Sequence, residues 1–294
     1  MSYELKKNNV IKSIVHLFKA KYLLLFGAFI ALLFWLNWRF EIIALNFSQL
    51  CNTPDFTVLT WNINCSDGAS KDRQEKIAEL ISIAGADFVQ LNEYYQEKCI
   101  ILDSLLRRMY PYTEEVYSHR RSGDIFYSKY KLHNSGNLFI PGRGRYVHTI
   151  EATISLSKDS LHIYGVHLAS NNDSDENTSP TSQYDTYLSA KEKRCFETGW
   201  LKTVISKSAD ASLVMGDFND FGCSSPCDSL KDIGMTNAWW KGGFGYGCTY
   251  HDGWLRLRID HIFYSPELEL CGVKVLQTEL SDHYPIVAGF KVRK

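Results

Sequence analysis

The stretch Ala211-Ser212-Leu213-Val214-Met215 is an apolar run of strand length that stops at Gly216 and then delivers Asp217, Phe218, Asn219 and Asp220. Side chains alternate along an extended chain, so Asp217 and Asn219 share one face while Phe218 points to the other. An acid and an amide at the rim of a sheet suit an Asx turn as well as a catalytic pair, and the stretch alone leaves both open. The pattern recurs. Phe56 to Trp61 alternates and ends in Asn62-Ile63-Asn64. Asp87 to Leu91 ends in Asn92-Glu93, and Leu161 to Val166 runs out at His167. Ile259 to Tyr264 carries Asp260 and His261, and Ser281-Asp282-His283 leads into the strand Ile286 to Val292. Such a chain requires sheets whose strand ends share one edge.

The intervening segments read as helices and turns. Ile77, Leu80, Ile81 and Ala84 recur at helical spacing, with Ser70 as N-cap and Gly85 as terminator. Cys99 to Met109 reads as a second helix. Leu188 to Lys207 reads as a third, with Phe196, Trp200, Leu201, Val204 and Ile205 as its inner stripe. Ile125-Phe126-Tyr127 and Leu138-Phe139-Ile140 read as strands separated by a turn. Tyr146 to Leu156 and Leu161 to Val166 read as a hairpin about Ser157-Lys158-Asp159-Ser160. Ser170 to Thr186 reads as a mobile polar loop. Gly242 to Gly247 lacks the Lys-Ser/Thr of a phosphate loop and reads as turn-rich. No internal repeat stands out.

Hydrophobic residues make up 45% of the 294, which is incompatible with wholesale disorder. The formal net charge of −1 provides no global basic field, so a polyanion would need local patches or metal ions. Tyr22 to Trp38 carries no charge and is about the minimum length of a membrane-crossing helix, with Tyr22, Trp35 and Trp38 suited to its interfaces. Lys6, Lys7, Lys12, Lys19 and Lys21 precede it and only Arg39 follows closely. That asymmetry places residues 1–21 in the cytoplasm as an N-terminal tail and the remainder outside. A cleaved signal peptide, a lipoprotein signal at Cys51 and a buried core helix are the competing readings; an uncleaved anchor is preferred. The expected organisation is therefore tail 1–21, transmembrane helix 22–38, linker 39–54 and soluble domain 55–294. No Cys/His cluster has zinc-finger spacing. Among the eight cysteines, Cys223, Cys227 and Cys248 are candidates for a disulfide in an oxidising compartment, with connectivity open.

Taken in order, the motifs are Thr60-Trp61-Asn62-Ile63, Gln90-Leu91-Asn92-Glu93, Gly165-Val166-His167-Leu168, Gly216-Asp217-Phe218-Asn219, Arg258-Ile259-Asp260-His261-Ile262 and Ser281-Asp282-His283-Tyr284-Pro285. Residues 55 to 294 resemble, in order and spacing, the endonuclease/exonuclease/phosphatase superfamily. That superfamily includes pancreatic deoxyribonuclease-like nucleases, abasic-site endonucleases, bacterial sphingomyelinases and inositol-phosphate 5-phosphatases. The resemblance implies a four-layer α/β/β/α sandwich of two mostly antiparallel sheets and a divalent metal at one rim, usually Mg2+, with Mn2+ and Ca2+ as alternatives.

By that similarity, Glu93 is the principal metal ligand, with Asn62 beside it and Asp282 close by. Asp217 orients or deprotonates the attacking water, and Asn219 holds that water or a phosphate oxygen. His283, paired with Asp260, contacts the phosphoryl group, and His167 donates to the phosphate or leaving group. Asn219 and His167 are thus the substrate-binding positions, and His167, Asp217, Asn219, Asp260 and His283 the catalytic ones. Abasic-site endonucleases carry an Asp where this chain has Asn64, which lowers the local negative charge. His251 and His261 are read as structural, Asn92 as a turn cap, and Arg143 and Arg145 as a solvated turn.

The resulting expectation is a metal-dependent phosphoesterase that acts by in-line attack of water and is tethered to a membrane through its N-terminal helix, with no protein partner evident. Its substrate is a phosphate ester, nucleic acid or phospholipid, with a nuclease-type substrate favoured and a sphingomyelinase-like phosphodiesterase as the alternative. A catalytically silent binding module on the same fold is the competing class. Trp239, Trp240, Phe244, Tyr246 and Trp254 crowd the region before Asp260 and could serve base stacking, lipid contact or core packing.

Overall fold

A computed structural model describes residues 2–46, 51–65, 68–117, 123–141, 145–153, 160–171, 182–208 and 210–293. The helical elements are α1 (Ser2–Phe40), α2 (Lys71–Ala84), α3 (Ile100–Leu106), α4 (Gln183–Ile205), α5 (Ser225–Lys231) and α6 (Ala238–Gly242). The strands up to the middle of the chain are β1 (Ala44–Leu45), β2 (Phe56–Asn62), β3 (Phe88–Tyr94), β4 (Tyr112–Tyr117), β5 (Gly123–Ser128), β6 (Leu132–Ile140), β7 (Arg145–Thr153) and β8 (Ser160–His167). They are followed by β9 (Ala211–Asp217), β10 (Thr236–Asn237), β11 (Phe244–Gly245), β12 (Tyr250–Asp252), β13 (Leu255–Leu257), β14 (Asp260–Tyr264), β15 (Leu268–Val275) and β16 (Ile286–Val292).

The chain divides into two units. Unit 1 ends at Ile42 and consists of α1, whose stretch Lys21–Phe40 is long and apolar enough to cross a membrane by length and composition. A signal sequence meets the same description. Unit 2, Ile43–Lys294, holds two six-stranded sheets, ordered β10-β14-β9-β8-β7-β6 and β15-β16-β2-β3-β5-β4. Every pairing in them is antiparallel except β2–β3 and β8–β9. Those two pairs are joined through α2 and α4, as a parallel crossover requires.

Alternation along the strands sorts side chains into layers. Val58, Phe88 and Phe126 of one sheet meet Ile163, Met215 and Ile262 of the other in the central core. Their sequence neighbours Leu59, Val89, Ile125 and Tyr127 face outward and pack on Ile77 and Ile81 of α2 and Leu102 and Leu106 of α3. On the other side, Val166, Val214 and Phe263 pack on Leu201 and Ile205 of α4 and Leu230 of α5. The result is the four-layer α/β/β/α arrangement. Ser70 caps α2 by accepting from the Arg73 amide (3.2 Å), and Gly85 ends the helix in the left-handed conformation.

Several expectations are revised. Ile125–Tyr127 and Leu138–Ile140, read as strands separated by a turn, are strands of different sheets. Helix α4 begins at Gln183, where the Ser182 hydroxyl accepts from the Asp185 amide, so the segment expected to be a loop through Thr186 is already helical there. Phe196, assigned to the inner stripe of α4, is exposed; the buried face instead carries Arg194, Glu197 and Thr198 beside Leu201 and Ile205. The turn at residues 157–159, Arg143, the side chain of Arg145 and the segment 172–181 lie outside the described residues. The domain also reaches further toward the N-terminus than residue 55, because β1 pairs with β11 and Asn46 Nδ2 donates to the carbonyl oxygens of Trp240 (3.0 Å) and Gly243 (3.3 Å).

The disulfide is not among Cys223, Cys227 and Cys248, which remain thiols; it joins Cys51 to Cys271 on β15. Spacing could not reveal it, since 220 residues separate the partners. In a chain-entropy picture, closing so long a loop stabilises the fold by about 5 kcal/mol. Denaturant titration of Cys271→Ser should therefore show a lowered midpoint, and added reductant should lower the parent's midpoint but not the variant's.

Candidate active site

Each parallel pair ends on two polar residues: Asn62 and Glu93 from β2–β3, His167 and Asp217 from β8–β9. Within its own pair, His167 is the direct partner of Asp217 in register, and across the antiparallel neighbour Asp260 pairs with Asp217 as well. The carboxyl ends of both central pairs therefore open onto one space. Gly216 permits this closeness. Its φ is +142°, and a Cβ there would run into the Val166 carbonyl on β8.

The polar groups form one connected network. Asn62 is buried, and its Nδ2 donates to Glu93 Oε1 (3.0 Å) and Asp217 Oδ2 (3.1 Å). Its Oδ1 accepts from the Asn64 amide (3.0 Å). Asn64 Nδ2 in turn donates to Asp282 Oδ1 (3.0 Å). His283 Nδ1 meets Asp260 Oδ2 at 2.8 Å, and its Nε2 stands 3.8 Å from Asp217 Oδ2. His167 Nε2 lies 3.8 Å from the same oxygen and 4.0 Å from Glu93 Oε1. The Asn219 amide donates to Asp217 Oδ1 (2.8 Å), and Asn219 Nδ2 donates to the Leu168 carbonyl (3.0 Å). All eight residues singled out from the sequence thus belong to this one network.

Period-2 alternation does not account for all of it. The described residues hold four non-glycine positions of positive φ, and three of them, Asn64 (43°), Glu93 (53°) and Asn219 (50°), are in the site. Left-handed backbone at such residues is strained and collects where function demands a particular aim. Asn219 is therefore not on a continued strand face: its amide closes an Asx turn onto Asp217 within the network. At Glu93 the ladder to β5 slips between Leu91 and Tyr94, so Asn92 and Glu93 both oppose Asp124. That bulge turns Asn92 inward and Glu93 toward the site.

Asn92 is the clearest correction. It is not a turn cap but a fully buried bridge between the two sheets. Its Nδ2 donates to Asp124 Oδ1 (2.8 Å) and to the Val166 carbonyl (3.1 Å), while its Oδ1 accepts from the Asp217 amide (3.2 Å). Asp124 was not singled out from the sequence, and burial pushes its carboxyl above the usual range. Thr249 was also missed: its hydroxyl oxygen accepts from the Ile259 and Asp260 amides, both at 3.0 Å. The Trp61 indole holds the His283 carbonyl (2.8 Å), and the Ser281 hydroxyl donates to the Asn62 carbonyl (2.8 Å). No local pattern marks Asp124 or Thr249. Ser281 and Trp61 stand inside the quoted motifs.

Electrostatics separates the two buried histidines. Burial alone would lower His283, but the charges of Asp260 and Asp217 outweigh it and raise the imidazole to about 10. Burial raises Asp260 to about 6 against the opposing pull of His283. At neutral pH the pair is an imidazolium and a carboxylate. His261 is held near 3 by burial and Arg258. Its Nε2 faces the Asp220 carbonyl (2.9 Å) and its Nδ1 faces Asn237 Nδ2 (3.2 Å), so it is a neutral packing residue. His251 Nε2 faces the Ser281 carbonyl (3.1 Å).

Asp217, Asp260 and His283 are spaced closely enough to hold a metal ion, their ligand atoms lying within 4.8 Å of one another. Glu93 and Asp282 fall outside that group. The Asp260–His283 bond engages two of its three members, which leaves Asp217 and the neighbouring Glu93 as the carboxylates facing the space. An oxygen-rich set with excess negative charge fits a hard divalent cation.

Two packed six-stranded sheets with this polar network at their shared rim define the class of fold, a four-layer α/β/β/α sandwich. The family profile described as "Endonuclease/Exonuclease/phosphatase family" matches residues 59–283, and the chain belongs to that family. It is accordingly a metal-dependent hydrolase of phosphoric esters. A comparison of the sequence with curated proteins finds no match.

Solved structures with the same fold include a truncated Caenorhabditis elegans TDP2 (18% identity, 80% of this chain and 96% of that one, TM-score 0.59). An endonuclease/exonuclease/phosphatase protein of Bacteroides vulgatus also has it (16% identity, 82% and 100%, TM-score 0.63). So does a mannosyl-6-phosphatase of Bacteroides thetaiotaomicron (14% identity, 80% and 99%, TM-score 0.61).

Proposed function

We propose that the chain is a Mg2+-dependent phosphodiesterase that attacks its substrate in line with a water activated by Asp217. The observation that carries this reading is the pair of 3.8 Å gaps from Asp217 Oδ2 to His167 Nε2 and His283 Nε2. Both are too long for a hydrogen bond, yet one further oxygen can bridge them. Glu93, Asn62, Asp217 and Asp282 supply the oxygens that would hold the cation, and a bound Mg2+ would polarise the phosphoryl group and offset its charge. Asp217 takes the proton of the attacking water. The imidazolium of His283, fixed in tautomer by Asp260, stabilises charge on the phosphoryl oxygens. His167 donates toward the phosphate or the departing oxygen, and Asn219 Oδ1 orients the water. Hydrolysis of bis(p-nitrophenyl) phosphate by the domain should require Mg2+ and vanish in EDTA. Turnover that persists in EDTA contradicts the reading.

Between the two substrate classes, the rim favours a phosphodiester carried by a lipid. Trp254, at the turn between β12 and β13, is 91% exposed, and the same hairpin presents Tyr250 edge-on to His283 at 4.9 Å. Phe244 is 62% exposed opposite Leu45. Exposed aromatic side chains suit a membrane interface. Losing one interfacial Trp should weaken membrane engagement about tenfold. Trp254→Ala should therefore lower hydrolysis of a vesicle-embedded phosphodiester by about that factor while leaving a soluble one unchanged; a parallel loss on single-stranded DNA would favour the nuclease reading.

In this reading, residues 22–38 are an uncleaved anchor, residues 1–21 are cytoplasmic, and the domain lies outside the cytoplasm. The Cys51–Cys271 disulfide supports an oxidising compartment for it. Protease treatment of intact spheroplasts should digest the domain.

A further inference from the structure

Strand β8 ends at His167 and β9 at Asp217, and beyond them ladder bonds no longer hold the loop that follows His167 or the loop that carries Asn219. Four of the described bonds that hold these loops come from α4. Arg194 and Glu197, three residues apart and both buried, grip Ala169 from its two sides. Glu197 Oε2 accepts from the Ala169 amide (3.0 Å), and Arg194 Nη1 donates to the Ala169 carbonyl (2.9 Å) and to Asn171 Oδ1 (3.1 Å).

Arg194 Nε also donates to Asp220 Oδ2 (3.0 Å), an ion pair with no exposed side-chain surface on either member. Asp220 is tied onward, since its Oδ1 accepts from the Phe221 amide (2.9 Å) and its carbonyl meets His261 (2.9 Å). The guanidinium therefore spans from a residue two past His167 to the residue after Asn219. A planar fork with several fixed donors does this; an ammonium on a flexible stem cannot reach both loops in one geometry.

We propose that Arg194 is a positioning residue for the hydrolytic site, setting the separation between the loop after His167 and the loop carrying Asn219 through Ala169 and Asp220. It touches no reacting group. The loops it joins meet directly at only two described bonds, Leu168 amide to Asp217 carbonyl (2.9 Å) and Asn219 Nδ2 to Leu168 carbonyl (3.0 Å). His167 and Asp217 are held in register by the ladder, so a small change in the loops' spacing moves Asn219 relative to both, and displacements of that kind lower rates by about a hundredfold.

The test is Arg194→Lys, which keeps the buried charge beside Asp220 and loses the fork. With Mg2+ and bis(p-nitrophenyl) phosphate, kcat should fall by about tenfold to a hundredfold while KM stays within about threefold. Hydrogen exchange at the Leu168, Ala169 and Asn219 amides should quicken while the amides of β8 and β9 keep their protection. A kcat per folded molecule equal to the parent's, or exchange accelerated evenly through both sheets, would overturn the proposal and leave Arg194 a stability residue. Should Arg194→Lys fail to fold, Arg194→Leu combined with Asp220→Leu removes both buried charges. The same split between kcat and KM is expected of it, and an unchanged kcat would again overturn the assignment.

Discussion

Asp217→Asn is expected to lower Mg2+-dependent turnover of a phosphodiester by about a thousandfold, the range in which a positioned base acts, without unfolding the domain. The substitution is nearly isosteric. The side-chain oxygen can still accept from the Asn219 amide, now at 2.8 Å, and the one cost to packing is the new amide nitrogen, which replaces the oxygen that accepts from Asn62 Nδ2 (3.1 Å). What is lost is the carboxylate. Two consequences follow: the attacking water has no proton acceptor, and one of the charges that raise His283 is gone. Steady-state kinetics and a thermal melt on the same sample separate chemistry from folding. Activity within tenfold of the parent would remove Asp217 from the role of base.

Asp260→Asn should be the second most damaging change, and its deficit should depend on pH. In the parent, burial pushes the His283 imidazole down and the charges of Asp260 and Asp217 push it up, to about 10. Removing the Asp260 charge leaves the burial effect less opposed, so the imidazolium is lost at a lower pH. The loss of kcat should be small near pH 6 and grow toward pH 9, reaching about a hundredfold, the scale of one lost electrostatic stabiliser.

The same pair gives a stability signature. A histidine raised in the folded state contributes stability that is fully present below its ordinary pKa of about 6.5 and is lost as pH rises through about 10. Asp260 works in the opposite sense, since burial raises its carboxyl to about 6 and its ionisation is disfavoured in the fold. Parent minus variant stability should therefore shrink as pH rises from 7 to 10, which denaturant titration across that range would measure. A variant with a pH-independent deficit would show that Asp260 acts without setting the charge of His283.

Much of this site was legible because strands alternate and stop. Asn62, Glu93, His167, Asp217, Asp260 and His283 each stand at or beside the end of an apolar run, so the pattern that located the strands also located the groups at their ends. Helix α2 was equally readable, because Ser70 and Gly85 supply the two caps themselves. Legibility ended where the strands did. Alternation could not foresee the left-handed backbone of Asn64, Glu93 and Asn219, which sets their aim through turns and a bulge.

Nor could periodicity find long-range polar partners. Asn92 to Asp124, Arg194 to Asp220 and Thr249 to Asp260 are pairings fixed by tertiary packing. The Cys51–Cys271 disulfide is of the same kind. By contrast, β15 (Leu268–Val275) alternates visibly in Leu-Glu-Leu at its start and was overlooked, while the glycine after Cys271 breaks the pattern at a register shift. Phe196 was placed inside α4 because it is apolar at helical spacing; the buried stripe there is instead occupied by a salt-bridged arginine and a glutamate.

The most direct test of a single cation-dependent rim is the anomalous scattering of Mn2+ in crystals of the domain. The expected result is one strong peak in the space bounded by Glu93, Asn62, Asp217 and His283, with a Glu93 carboxylate oxygen at about 2.1 Å, as for small hard cations. Peaks confined to surface acids elsewhere, with none between those four side chains, would contradict the shared pocket on which the assigned chemistry depends.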